Sequence, residues 1–150
     1  MNFKLALALA ASATLASPAL ASKGKAKAAK SPVVKHEAEA KKLMAQGLGA
    51  LDRGETSLAI AAFNKAVRRE RSVSSYFLLG WAHYQRGFKN RPVEAADRDD
   101  AQSAIDAYTM ALSLDPKLKD LPDASRLHFS MALCQEAAGS LGSALESYKN

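Results

Sequence analysis

A short helical pattern occurs twice in this chain, and part of it occurs a third time. The segments "SLAIAAFNKAVRRE" and "SAIDAYTMALSLDP" both contain alanine, an aromatic residue and alanine at spacings of four and three. Residues at these spacings lie on one face of an α-helix. The pattern therefore predicts a helical unit that recurs. The matching positions are Ala59, Ala104 and Ala144, then Phe63, Tyr108 and Tyr148, then Ala66 and Ala111.

A second pattern precedes each copy of the first. The segments "LMAQGLGALDRGE", "YFLLGWAHYQRGF" and "HFSMALCQEAAGS" align without gaps. Each has two small residues two positions apart, which suit close helix packing, and a later glycine that suits a left-handed helix stop. We therefore predict three helix–turn–helix units. The aligned residues are Gly47, Gly80 and Ala132, then Gly49, Ala82 and Cys134, then Gly54, Gly87 and Gly139.

A unit of about 34 residues with these small and aromatic positions resembles the tetratricopeptide repeat (TPR). The resemblance covers Glu39 to Asn150 and implies an all-α fold, an α-solenoid of about three TPR-like units. We place the units at about 39–72, 73–118 and 123–150, the last one incomplete. The first unit departs from the family at Arg71, where proline is usual. The best match is the second unit, at Tyr76, Leu79, Gly80, Gly87, Ala104, Tyr108, Ala111 and Pro116.

The second unit is longer than the family period. Its surplus is the segment 88–100, "FKNRPVEAADRDD". A proline followed by acidic residues is typical of a helix start, where negative charge meets the positive end of the helix. We expect the second helix of this unit to begin near Pro92 and to protrude by about two or three turns. A structureless loop is the alternative.

The first 36 residues differ in composition from the rest. Residues 1–21 combine Lys4, a short apolar run and a small-residue cleavage site, which is typical of a bacterial secretory signal peptide; a buried N-terminal helix is the alternative. The residue directly after that site is Ser22 and not cysteine, so we expect no lipoprotein anchor. Residues 22–36, rich in lysine and alanine, predict a disordered linker. The expected folded domain is 37–150, in the periplasm or secreted.

The basic charge is unevenly distributed. Residues 22–36 contain five lysines and no acidic residue, whereas from Glu37 onward 15 basic and 15 acidic residues cancel. We conclude that the basic charge does not continue onto the folded part, and we expect no specific nucleic-acid partner. Apart from acting as a spacer, the linker could make weak contact with anionic envelope polymers.

The histidines and the cysteine have structural explanations. His36, on the linker, and His83 and His128, on two different helices, lack the close spacing of zinc ligands. His83 and His128 are predicted to be partly buried. Cys134 falls at a small-residue packing position, so we predict an inert buried thiol.

The acidic cluster Asp97, Asp99 and Asp100 lacks the glycine and the distal glutamate of a calcium loop. We predict a solvated helix start there. The sequence also contains no phosphate-binding loop and no nucleophile elbow. We therefore expect a protein that is not an enzyme and that has no cofactor and no metal site.

A surface remains as the functional candidate. The resemblance implies that the first helices of successive units line a concave face, where family members bind peptide segments. The matching positions are mostly apolar and aromatic, which suits a hydrophobic segment of a partner. Alternatively, Trp81 and Tyr84 pack under the tail or a neighbouring helix. The predicted partner-binding residues are Met44, Leu48, Leu51, Phe77, Trp81, Tyr84, Arg126, Phe129 and Leu133.

The sequence thus predicts a non-catalytic scaffold or adaptor that binds a protein or peptide partner. One alternative is a structural module of a longer envelope protein, tethered through its basic tail; another is the recruiting arm of an enzyme encoded beyond residue 150. The sequence ends partway through the sixth predicted helix, where Leu141, Leu145 and Tyr148 would lack cover on one side. We expect a fragment of a longer array, or an edge covered by a partner or by self-association with a second copy.

Overall fold

The computed structural model describes residues 32–119 and 121–150, and this part of the chain is all-α. Its six α-helices follow one another as three helix–turn–helix pairs, and each helix packs against the next. The predicted fold class is confirmed at this level. The predicted signal peptide, 1–21, and residues 22–31 of the linker lie outside the described residues. The helices are α1 (Pro32–Asp52), α2 (Thr56–Arg69), α3 (Val73–Phe88), α4 (Arg98–Leu114), α5 (Ala124–Ala137) and α6 (Leu141–Tyr148).

Within the first two pairs, an aromatic ring of the second helix lies against a glycine of the first. A Cβ atom added to Gly80 would lie 2.6 Å from the ring of Tyr108, and one added to Gly47 would collide with the ring of Phe63. Both rings are fully buried. Burial of one such ring stabilises the fold by about 1.5–3 kcal/mol. The repeated small and aromatic residues therefore form the contact that holds each of these pairs together.

In the third pair the same positions pack less closely. Ala132 is fully buried, but Tyr148 is 45% exposed. Two other side chains of α6, Leu141 (67%) and Leu145 (56%), are also exposed. The predicted exposure of these three side chains of α6 is confirmed. The ring of Tyr148 contacts Phe129 of α5 edge-on, with 6.2 Å between the ring centroids.

Two apolar clusters join the pairs. The first contains Ile60 and Phe63 of α2 with Leu79 and Ala82 of α3. The second joins α3 and α4 to α5, and it includes two leucines of the loop after α4. Its buried members are Tyr76, Ala101, Ala104, Tyr108, Ala111, Leu118, Leu121, Leu127, Met131 and Cys134.

The predicted left-handed helix stops are confirmed at two of three glycines. Gly54 has φ +74° and Gly139 has φ +81°. The prediction is wrong for Gly87, which lies inside α3, while Asn90 adopts the positive φ of 56°. Gly87 instead allows a close approach, because an added Cβ would lie 3.0 Å from the Cβ of Asp100.

The predicted start of α4 near Pro92 is wrong. The helix begins at Arg98, and the preceding segment contains only a 3-10 turn, Val93–Ala95, which packs against α5. The physical reason is the cap, because the side chain of Asp97 accepts hydrogen bonds from the backbone N–H groups of Asp99 and Asp100, both at 3.1 Å. The first turn of the helix does contain acidic residues, Asp99 and Asp100, but the helix starts six residues after Pro92.

The predicted linker extends too far. Its last five residues, 32–36, form the first turn of α1, which begins at Pro32. Proline suits the first helical position, because its fixed φ matches the helix and it has no N–H to leave unpaired. His36 therefore lies on a helix and is exposed.

We expect Gly47→Ala to destabilise the fold by about 1–3 kcal/mol, because the new methyl group overlaps the buried ring of Phe63. Gly49→Ala in the same helix is the matched control. Its methyl group would meet only the flexible end of Arg53, at 3.5 Å, and should stabilise the helix by about 0.5–1 kcal/mol. Urea unfolding measures both changes. Equal free energies of unfolding for the two variants would contradict the proposed contact.

Candidate functional site

Three aromatic side chains of α3 stack along one face of the helix. The ring centroids of Trp81 and Tyr84 are 5.2 Å apart, and those of Tyr84 and Phe88 are 4.8 Å apart. Spacings of three and four residues bring these rings together. All three are half-buried, so each ring still presents surface to solvent. We call this row the aromatic ladder.

A cleft of about 250 Å³ opens beside Trp81, where the end of α1 approaches α3. Its lining combines an aliphatic and an aromatic side chain with an acid, an amide and a cation. We call it the Trp81 cleft. Its lining residues are Leu51, Asp52, Gly54, Thr56, Trp81, Gln85 and Lys89.

A cation from the third pair lies over the ladder. The guanidinium carbon of Arg126 is 5.3 Å from the centre of the Trp81 ring. Asp123, which caps α5, holds Arg126 through an ion pair of 2.9 Å. Cation–π contacts at exposed sites contribute about 0.5–1 kcal/mol. The contact thereby ties α5 to the exposed face of α3.

Of the nine predicted binding residues, the structure brings four together at this place: Leu51, Trp81, Tyr84 and Arg126. Met44 and Phe77 pack against the two apolar clusters away from this place, and Leu51 and Tyr84 also contact these clusters. Leu48 is 44% exposed and Phe129 56%, but Phe129 lies against Tyr148 on the side of α6. Leu133 is half-buried in α5.

Sequence reasoning missed six residues of the site, which are Phe88 of the ladder and Asp52, Gly54, Thr56, Gln85 and Lys89 of the Trp81 cleft. Phe88 extends the ladder, and its spacing of four from Tyr84 is the signal that would have found it. It was assigned to the insertion instead. Asp52, Gln85 and Lys89 line the Trp81 cleft without any distinctive sequence pattern.

The acidic cluster is only partly solvated, and the prediction is wrong for Asp100. This side chain is buried and accepts hydrogen bonds from Arg86 at 2.8 and 2.6 Å and from Nδ1 of His83 at 2.8 Å. Asp97 and Asp99 are exposed. The network joins α3 to the first turn of α4, and it confirms the predicted structural role of His83.

The pKa of Asp100 reflects two opposing effects. Burial alone would raise it, but the hydrogen bonds from Arg86 and His83 outweigh burial and lower the pKa below its usual value. The charged carboxylate is therefore the form that the folded protein favours. Burial also lowers the pKa of His128, which is half-buried as predicted.

Cys134 is fully buried and has a free thiol. Burial raises the pKa of this thiol to about 12, and the negative charge of Asp100 adds to the shift. A thiol of this kind is protonated at neutral pH and is a poor nucleophile. The predicted buried packing role is confirmed.

Within residues 32–119 and 121–150, no group of three or more His, Cys, Asp or Glu residues is arranged to hold a metal ion. None of the helices in this part of the chain has the length and apolar character needed to cross a membrane. The chain matches no protein-family model and no curated protein.

We expect Asp100→Asn to destabilise the fold by about 1–3 kcal/mol at pH 7, because Arg86 and His83 lose their charged acceptor. Since the folded pKa is lowered, the stabilisation by Asp100 is present above the unfolded value, about 3.9, and is lost as the pH falls through the folded value. Urea unfolding should therefore show the difference from the native sequence shrinking in acid. Asp99→Asn is the control; a similar loss there at pH 7 would contradict the role of Asp100.

We expect Cys134 to resist modification by a thiol reagent such as dithionitrobenzoate in the folded protein and to react in full after unfolding in urea. Both its burial and its raised pKa oppose formation of the thiolate. Absorbance of the released thiolate measures the rate. Rapid reaction in the absence of denaturant would contradict the burial of this thiol.

Proposed function

We propose that this chain is a non-catalytic protein-interaction module of the tetratricopeptide type, in which the aromatic ladder and the Trp81 cleft bind a hydrophobic segment of a partner protein. The observation that carries the proposal is the stack of three half-exposed rings beside a cleft rimmed by polar groups. Large side chains with fixed geometry are the usual anchors of protein interfaces.

The arrangement suits an apolar side chain better than a charged one. Leu51 and Trp81 provide the apolar lining of the cleft, and Arg126 already occupies one face of the Trp81 ring. Asp52, Gln85 and Lys89 can orient the backbone of a bound segment by hydrogen bonds. Pre-stacked rings also lose little conformational freedom on binding, which favours affinity.

The proposal of an α-solenoid of TPR-like units rests on the repeated contact between glycine and an aromatic ring and on the order of the helix pairs. In such an array α1, α3 and α5 share one face. The Arg126–Trp81 contact between α5 and α3, and the cleft between α1 and α3, are consistent with this arrangement.

We further propose that the module acts outside the cytoplasm, in the periplasm or secreted, with residues 1–21 as its signal peptide and the lysine-rich segment as its spacer. The composition of the first 31 residues supports this part of the proposal. Weak contact of the lysines with anionic envelope polymers would hold the module near the cell envelope.

A peptide library displayed on phage tests the binding function. We expect selected peptides to be rich in leucine and aromatic residues, and Trp81→Ala to weaken their binding at least tenfold, about 1.4 kcal/mol. Leu58→Ala is the control, because Leu58 is an apolar residue of α2 that is 61% exposed. Circular dichroism confirms that both variants fold.

Trp81 is the only tryptophan of the chain, so its fluorescence reports on the cleft directly. Binding of a selected peptide should shift the emission to shorter wavelength, because the indole loses contact with water. The proposal is wrong if the selected peptides bind the Trp81→Ala variant as tightly as the native chain.

A further inference from the structure

The folded part of the chain is electrically asymmetric. Residues 32–72 contain eight lysines and arginines against five acidic residues, whereas residues 73–150 contain eight against ten. The charges still cancel over the folded part as a whole, with 15 basic and 15 acidic residues from Glu37 onward, but the first helix pair has a small basic excess. This pair also adjoins the lysine-rich segment in the sequence. A local excess of one sign attracts partners of the other.

Three of the eight basic residues within 32–72 line a cleft between α1 and α2. Lys65, Arg68 and Arg69 surround Leu43 in a space of about 430 Å³, which we call the basic cleft. Arg69 forms an ion pair with Glu39 at 3.3 Å. Within residues 32–119 and 121–150, no carboxylate lies within ion-pairing distance of Lys65 or Arg68. These two exposed cations are therefore available to an anionic ligand.

The loop after the second helix pair provides apolar side chains that the loop after the first pair does not. Leu43 aligns with Tyr76, and the loop after α4 buries Leu118 and Leu121 in the same apolar cluster as Tyr76. The loop after α2 has only Glu70, Arg71 and Ser72, which provide no apolar side chain. Leu43 therefore remains half-buried at an open cleft.

We propose that the basic cleft binds an acidic segment of a partner protein that carries a bulky aliphatic side chain. The aliphatic side chain would cover Leu43, much as the leucines of the loop after α4 join the cluster around Tyr76. Carboxylates on either side of it would pair with Lys65 and Arg68. Arg68 can hold a carboxylate in a two-pronged hydrogen bond.

A protein segment fits the cleft better than a phosphate or sugar polymer does. A polyanion would satisfy the cations but would leave Leu43 uncovered. The basic cleft is also separate from the Trp81 cleft, because Leu43 and Leu51 stand about 12 Å apart along α1. The inference thus goes beyond the proposed function and adds a second contact site for a partner.

The test uses a fluorescein-labelled synthetic peptide that alternates aspartate with leucine. Its binding to the full chain is measured by fluorescence anisotropy at several salt concentrations. The double variant Lys65→Gln, Arg68→Gln should weaken binding about tenfold and reduce its salt dependence. The control is Lys117→Gln, Lys119→Gln, which removes the same charge from two exposed lysines after α4 and should change binding less than twofold.

Three further measurements separate the alternatives. A peptide with serine in place of leucine should bind about tenfold more weakly, and Trp81→Ala should bind the original peptide normally. The proposal is overturned if the original peptide does not bind, if the serine peptide binds equally well, or if the control variant loses as much affinity. It is also overturned if binding to vesicles of phosphatidylglycerol requires Lys65 and Arg68 whereas binding of the peptide does not.

Discussion

The fold depends on one kind of contact, an aromatic ring packed against a helix at a glycine. Phe63 lies on Gly47 and Tyr108 lies on Gly80, so neither glycine can carry a side chain. The contact brings two helices close together and buries a large apolar ring at the same time. Tyr108 also accepts a hydrogen bond from Ser130 of α5 at 2.9 Å, which links the second pair to the third. Burial correspondingly raises the pKa of Tyr108 far above its usual value.

Helix α3 serves several neighbours at once because its faces differ. Gly80 receives the ring of Tyr108, Leu79 joins the cluster with α2, and Asp100 of α4 is held by Arg86. The aromatic ladder follows a further face, where Tyr84 and Phe88 also pack against the cluster shared with α4 and α5. Since the other faces are fixed by buried contacts, the ladder stands on a helix that has little freedom to move. Such rigid support favours binding, because a surface that is already ordered loses little conformational entropy when a partner binds.

Much of this architecture could be predicted from the sequence because it repeats. The spacing of small and aromatic residues locates the helix pairs, and Gly54 and Gly139 end helices as expected. The predictions failed where the repeat is interrupted. Gly87 contacts Asp100 rather than ending a helix, and α4 begins only after its N-cap residue, Asp97. Asp100 was assigned to solvent because its partners His83 and Arg86 lie 17 and 14 residues earlier, beyond any local pattern.

The 3-10 turn Val93–Ala95 has a mechanical consequence. Because it packs against α5, the second and third pairs are joined both by the shared cluster around Tyr108 and by this brace outside the repeat. Within residues 32–119 and 121–150 no second 3-10 turn braces the first pair, which meets α3 mainly through α2 and shares an apolar cluster with it. The joint between the first and second pairs therefore lacks this additional contact from outside the repeat. The Trp81 cleft spans that joint, so a segment bound between Leu51 and Trp81 would add a contact there and restrict movement of α1 relative to α3.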